Sequence, residues 1–161
     1  QVRDAPSGDD YQSVSVGTYH SCAVNAAGGI ECWGLSNGSF SDYGQVNDAP
    51  TASSFVSVTS GPNHNCALKS KGTVKCWGKD NNGESTPPSE DFVSVSAGGV
   101  HSCGLTDAGA VLCWGNNTYD QSSPPAYVFT SVSAGAAHTC GLASSTGKIE
   151  CWGDDGYHQS N

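Results

Sequence analysis

Four copies of one short unit run along this chain, and that repetition limits its possible folds more than any other feature. Tyr11-Gln-Ser-Val-Ser-Val-Gly17 matches Phe55-Val-Ser-Val-Thr-Ser-Gly61, Phe92-Val-Ser-Val-Ser-Ala-Gly98 and Phe129-Thr-Ser-Val-Ser-Ala-Gly135. A histidine stands three residues after each glycine (His20, His64, His101, His138), and a cysteine two residues further on (Cys22, Cys66, Cys103, Cys140). Each unit then closes on Cys-Trp-Gly, beginning at Cys32, Cys76, Cys113 and Cys151. The periods are 44, 37 and 37 residues, and the excess of the first falls after Trp33. Repeats of this size are single supersecondary units that bury their apolar faces only against neighbours.

Each unit reads as strands. Its first segment alternates an aromatic residue or Val with Ser or Thr, the period-two pattern of a half-buried strand. The segments after His and before Cys-Trp-Gly read as a hairpin. In the first unit Cys22 and Cys32 are equidistant from the centre of Asn25-Ala-Ala-Gly-Gly29, which makes them opposed cross-strand neighbours within disulfide reach. The same spacing joins Cys66 to Cys76 and Cys103 to Cys113; Cys140 to Cys151 is one residue longer, and the turn Ser144-Ser-Thr-Gly147 can absorb it. Four disulfides inside the repeats are therefore expected. Zinc is the rival, but it usually wants clustered Cys-x-x-Cys pairs, and these pairs are spread one per repeat.

The ends are in phase. Gln1-Val-Arg-Asp-Ala-Pro6 matches Gln45-Val-Asn-Asp-Ala-Pro50, and the same Gln position recurs at Gln159. This suits an all-β fold closed as a ring: a β-propeller of four repeats, one domain over 1–161, with repeats at 11–54, 55–91, 92–128 and 129–161, and with 1–10 closing the ring beside the last repeat. The alternative is two chains completing a larger ring.

Composition sets the compartment and excludes some partners. The net charge is −9, so the chain lacks the basic footprint that nucleic acid or an anionic membrane surface requires. Four of its six cationic residues, Lys69, Lys71, Lys75 and Lys79, lie in the second repeat, as a solvated strand or as a local basic patch. Eight cysteines in 161 residues point to an oxidising compartment. A start at Gln1 without a hydrophobic leader suits a secreted, mature chain. Two sequons, at Asn37 and Asn116, fall in expected surface loops, as glycosylation requires.

The unit FVSVSAG-x-x-HSCGL…G-x-V-x-CWG-x-N resembles the regulator of chromosome condensation repeat over nearly the whole chain. It is similar to the secreted short-repeat form seen in propeller-type bacterial β-lactamase inhibitors. Propellers of that family usually have seven blades, against four units here. The chromatin binding and nucleotide exchange of the family's nuclear founder are not expected in an acidic, disulfide-rich chain.

Residues common to all four units are best explained by the fold they share. The four histidines read as satisfying backbone groups of their own blades, with a metal-binding ring as the sharper reading. Trp33, Trp77, Trp114 and Trp152 read as packing between blades, with sugar platforms as the alternative. Function is expected where the units differ: in the two residues before each His and in the loops after Trp-Gly. The candidate ligand-binding residues are Tyr19, Phe40, Asp42, Tyr43, Asn63, Asp80, Tyr119, Asp120, Tyr157 and His158, since aromatic faces stack on sugars or anchor proteins. Asp80-Asn-Asn-Gly-Glu84 holds oxygen ligands but lacks the full spacing of a calcium loop, so no cofactor is expected and Ca2+ is the exception to consider. No catalytic motif is present. If the chain is an enzyme, a polysaccharide hydrolase or lyase, then His158, Tyr157 and Asp155 are its candidate catalytic residues. A secreted binding module for a carbohydrate or an extracellular protein, monomeric or homodimeric, is the leading expectation.

Overall fold

The computed structural model describes residues 5–160. Among the described residues it contains twelve strands and no helix. The first blade comprises β1 (Tyr11–Val16), β2 (His20–Asn25) and β3 (Ile30–Gly34). The second comprises β4 (Phe55–Ser60), β5 (His64–Lys69) and β6 (Val74–Gly78). The third comprises β7 (Ser94–Ala97), β8 (His101–Leu105) and β9 (Val111–Gly115). The fourth comprises β10 (Phe129–Ala134), β11 (His138–Ala143) and β12 (Ile149–Gly153). Each blade is an antiparallel sheet in chain order, and the whole is a four-bladed β-propeller.

The expected hairpin register holds in all four blades. Cys22 faces Cys32, Cys66 faces Cys76, Cys103 faces Cys113 and Cys140 faces Cys151, and each pair is bridged. In the fourth hairpin the extra residue is taken up by a wider turn, in which Gly147 donates its amide to the Ala143 carbonyl. The glycine after each tryptophan ends the hairpin. At Gly78 φ is 98°, and a Cβ would lie 2.6 Å from the Asn63 carbonyl oxygen, so only glycine fits there.

A three-stranded blade is too thin to hold a core, so the core lies between blades. Cys22 and Val24 of the first blade pack on Phe55, Val58, Ala67 and Trp77 of the second. Leu68, Val74 and the Cys66–Cys76 bridge take Phe92, Val95 and Trp114 of the third. Cys103, Leu105 and Val111 take Phe129, Val132 and Trp152 of the fourth. Every joint thus sets a disulfide and an aliphatic pair against the Phe, Val and Trp of the next blade.

A polar chain locks each joint at one end. The Ser102 hydroxyl donates to the Glu84 carbonyl (3.1 Å), which leaves its oxygen to accept from His64 Nε2 at 2.9 Å. Trp114 Nε1 donates to the same Glu84 carbonyl at 3.0 Å. The next joint repeats this, with Thr139 donating to the Gln121 carbonyl and accepting from His101, and Trp152 donating to Gln121. The first joint uses Asn65 Oδ1 for His20, while Asn65 Nδ2 and Trp77 Nε1 both reach the Gln45 carbonyl. His20, His64 and His101 thus reach into the neighbouring blade; the expectation that each histidine satisfies backbone groups of its own blade is corrected for these three. Trp77, Trp114 and Trp152 are buried packing residues between blades, whereas Trp33, at the same position of the first blade, is half-buried.

Neighbouring blades pack through β1 on β4, β4 on β7 and β7 on β10; the first and fourth blades share no comparable strand packing. Residues Val16–Thr18, Ser60–Pro62, Ala97–Gly99 and Ala134–Ala136 of all four blades line an open central cavity of about 320 Å³. Ala5, Pro6 and Gly8 lie against Tyr11, Val14, Ala23 and Trp33 of the first blade. The remainder of the expected closing segment, 1–4, lies outside the described residues.

Candidate ligand-binding face

Strand register puts the variable residues on one side of the propeller. His20 pairs with Gly34, so the Thr18-Tyr19 turn and the loop after Trp33 leave the blade at the same end. A backbone bond closes this end in every blade: Leu35 N to Tyr19 O, Lys79 N to Asn63 O, Asn116 N to Val100 O and Asp154 N to Ala137 O. All ten candidate ligand-binding residues therefore belong to one face, and the β2–β3 type turns form the other.

The four loops share one design, which sequence reading did not recognise. The side chain of Gln45, Glu84, Gln121 or Gln159 folds back and accepts the amide two residues earlier: Tyr43, Asn82, Tyr119 and Tyr157, at 2.7–2.8 Å. The residue between adopts a left-handed conformation, at Gly44, Gly83, Asp120 and His158, with φ from 61° to 83°. Asp120 and His158 thus occupy a turn position that is glycine in the other two loops. The carbonyl of Gln45, Glu84 or Gln121 also receives the tryptophan of the next blade, so three of these loops are tied to a joint. The signal was available in the recurrence of Gln or Glu eight residues after each Cys of Cys-Trp-Gly in the last three repeats.

This design aligns three tyrosines at one loop position. Tyr43, Tyr119 and Tyr157 are exposed, Tyr157 almost completely, while Phe40 on the longer first loop is wholly exposed. Tyr19 is exposed on the adjacent turn. Neighbouring loops touch: Lys79 Nζ lies 5.5 Å from the Tyr43 ring centre, and Asn116 Nδ2 donates to Asn82 Oδ1 at 3.3 Å. The lysines of the second repeat do not form one patch, because Lys69 lies over Phe55 near the opposite turn while Lys79 faces the loops.

Most carboxylates of the face are used to shape it. Asp42 accepts the amides of Gly38 (2.6 Å) and Gly44 (3.2 Å). Asp80 accepts Ser85 N and the Thr86 hydroxyl. Asp154 accepts Gly156 N and Gln159 Nε2, and Asp155 accepts Ser160 N. In the Asp80–Glu84 loop the Asp80 carboxylate thus turns onto the loop's own donors. Among the described residues no cluster of three or more His, Cys, Asp or Glu could hold a metal ion. Of the two sequons, Asn37 is exposed, whereas the Asn116 amide both donates to Asn82 and accepts from Thr118 and Gln121.

Glu84 departs from the pattern. It is fully buried, and its Oε1 has no hydrogen-bond partner among the described residues. In the third and fourth loops the matching amide donates to Asn116 Oδ1 or Asp154 Oδ2, but the second loop has Lys79 at that position. An unsatisfied buried oxygen costs about 1–3 kcal/mol. The double substitution Lys79→Asn, Glu84→Gln rebuilds the third loop's pair and is expected to raise Tm by roughly 2–6 °C in a thermal melt. A lower Tm would count against this account of the loop.

These features define a class: a propeller of disulfide-stapled blades presenting pinned, aromatic loops on one face. The model of the Regulator of chromosome condensation (RCC1) repeat matches residues 55–84, 92–121 and 129–159, more than half of the chain. The chain belongs to that repeat family. No curated protein matches it at a significant level. Among solved structures, the CRINKLY WD40 ectodomain of the Arabidopsis thaliana receptor kinase ACR4 is 32% identical, with TM-score 0.70, over 88% of this chain and 49% of that one. The ectodomain of the Physcomitrella patens receptor kinase CR4 is also 32% identical, with TM-score 0.72, over 92% and 42%. Prp20p from Saccharomyces cerevisiae shares the fold, with TM-score 0.77 at 18% identity, over 93% and 47%. The chain spans about half the length of these solved structures.

Proposed function

We propose that the chain is an extracellular protein-recognition module that binds its partner through the loop face. The observation that carries this is the row of exposed rings, Phe40, Tyr43, Tyr119 and Tyr157, held on loops whose backbones are pinned by internal hydrogen bonds. Rigid aromatic anchors give large contact area at little conformational cost, which is the composition of protein-binding hot spots. The four disulfides fit an oxidising, extracellular setting. The receptor-kinase ectodomains among the similar structures are extracellular parts of their own proteins and support the same direction. Binding is favoured over hydrolysis because Asp42, Asp80, Asp154 and Asp155 are spent on loop geometry.

The test screens the chain in parallel on an array of recombinant extracellular protein domains and on a glycan array. Wild type is expected to bind one or more protein domains. Tyr119→Ala and Tyr157→Ala are each expected to weaken that binding by roughly tenfold or more. Binding to glycans alone would replace this reading with a lectin, and protein binding indifferent to both substitutions would sink it.

A further inference from the structure

Neighbouring loops meet at one recurring pair of positions. The first residue after Cys-Trp-Gly of one loop reaches the residue of the preceding loop whose amide is held by Gln or Glu. Between the first and second loops, Lys79 Nζ stands 5.5 Å from the Tyr43 ring centre. Between the second and third, Asn116 Nδ2 donates to Asn82 Oδ1 at 3.3 Å. Each of these meetings sets a nitrogen donor of the later loop against the earlier one.

Between the third and fourth loops the acceptor is kept and the donor is absent. Tyr119 occupies the Tyr43 position, since its amide donates to Gln121 Oε1 as that of Tyr43 does to Gln45 Oε1. The residue at the Lys79 position is Asp154, whose carboxylate accepts Gly156 N and Gln159 Nε2 of its own loop. A carboxylate has no attraction for the negative face of a ring. Tyr119 is 55% exposed against 37% for Tyr43 under Lys79. Both loops of this meeting are present, so the open ring is a property of its residues. Asp120, next to Tyr119, is exposed, and no group among the described residues donates to its carboxylate. Across the four loops Asp42, Asp80, Asp120, Asp154 and Asp155 stand against one lysine, Lys79, and no arginine.

We infer that Tyr119 and Asp120 form a seat for a cationic side chain, arginine before lysine, on a basic segment of a partner protein. The inference rests on the loop-face reading and gives that partner its chemistry. A guanidinium lies flat on the Tyr119 ring while its N–H groups fork onto the Asp120 carboxylate; a lysine ammonium is a point charge and fits this pair less well. The acidic loops around the seat draw such a segment in. Lys79 on Tyr43 is the chain's own version of the same contact.

Fluorescence anisotropy with a labelled alternating Arg–Ser peptide tests this, beside Lys–Ser and Glu–Ser peptides of the same length. The Arg–Ser peptide is expected to bind best, Lys–Ser less well and Glu–Ser not at all. Tyr119→Ala and Asp120→Asn should each weaken Arg–Ser binding by about tenfold. Asparagine tolerates the left-handed backbone of Asp120, so that variant keeps its loop. Asp107→Asn removes the same charge from the opposite turn and should change nothing. Lys79→Ala uncovers Tyr43 beside Asp80 and should strengthen binding by roughly threefold, whereas Lys75→Ala, on an exposed strand position, should not. Failure of the Arg–Ser peptide to bind overturns the inference. So does binding indifferent to Tyr119→Ala, or binding weakened as much by Asp107→Asn as by Asp120→Asn, which would be attraction to net charge alone. If the domains captured on the array need Tyr119 and Tyr157 but carry no basic segment, the loop-face reading stands and this inference falls.

Discussion

Acidification is expected to loosen the propeller well before its carboxylates are neutralised. His64 and His101 are buried, and burial, reinforced by the neighbouring histidines, lowers the pKa of each from 6.5 to about 4. His20 is lowered too, chiefly by burial and partly restored by its bond to Asn65. The geometry shows why. Nε2 carries the hydrogen donated to Ser102 or Thr139, because those hydroxyls already donate to backbone carbonyls. A second proton would sit on Nδ1, and at His20 and His101 that atom is buried with no partner among the described residues. A cation there would be desolvated and unpaired.

The direction of the pH dependence follows. The folded pKa lies below the unfolded one, so the stabilisation is complete above pH 6.5. It is lost as pH falls from 6.5 toward 4, where the unfolded chain binds protons that the folded chain refuses. Each such histidine contributes about 1.4 kcal/mol per pH unit inside that window, so the combined loss reaches several kcal/mol. For a chain of this size Tm should drop by roughly 10 °C or more between pH 7 and 4.5. Circular dichroism melts at steps across that range measure it. His64→Gln with His101→Gln should flatten the profile; a Tm independent of pH in wild type, or an equal slope in the double variant, would show that the joints do not sense protons.

Reduction is expected to have the largest effect of all. Each bridge closes a loop of about ten residues, worth on the order of 2–3 kcal/mol by unfolded-state entropy. The four together approach the whole stability of an ordinary domain. The bridges also fill the joints, so their loss removes packing on Phe55, Phe92 and Phe129. Full reduction should therefore unfold the chain at 25 °C, seen as loss of the far-UV β signal. The order should be uneven. Cys22, Cys66 and Cys103 have no exposed surface, whereas Cys140 and Cys151 are only half-buried. Alkylation trapping during mild reduction should find Cys140–Cys151 opened first, with the fold retained. Simultaneous opening of all four would mean that reduction requires global unfolding.

Much of the fold was legible because its determinants are local. Alternating Val and Ser at 55–60, the hairpin between Cys66 and Cys76 and the Cys-Trp-Gly ending are each decided by residues a few positions apart. Repetition then multiplies a weak local signal by four. The candidate face was legible in part. Tyr119 and Tyr157 stood out as unmatched residues in loops, yet their equivalence to Tyr43 did not, because the first loop is longer and hides the alignment. The roles of Gln45, Glu84 and Gln121 were missed because a buried polar residue after a loop looks like any other turn residue. Only the register shows its side chain folding back and its carbonyl facing the next blade.

By itself the sequence determined the blade, its disulfide pairing and the one-sided grouping of variable loops, since strand alternation and hairpin spacing are properties of neighbouring residues. Only the tertiary structure decided what His20, His64 and His101 do. Their partners Asn65, Ser102 and Thr139 lie 38–45 residues away in the next blade, and no local pattern encodes a bond across a joint. The tertiary structure also decided that Val14 and Ile149, which repeat buried residues elsewhere, stand exposed, because burial depends on whether a neighbour is present and not on the residue itself.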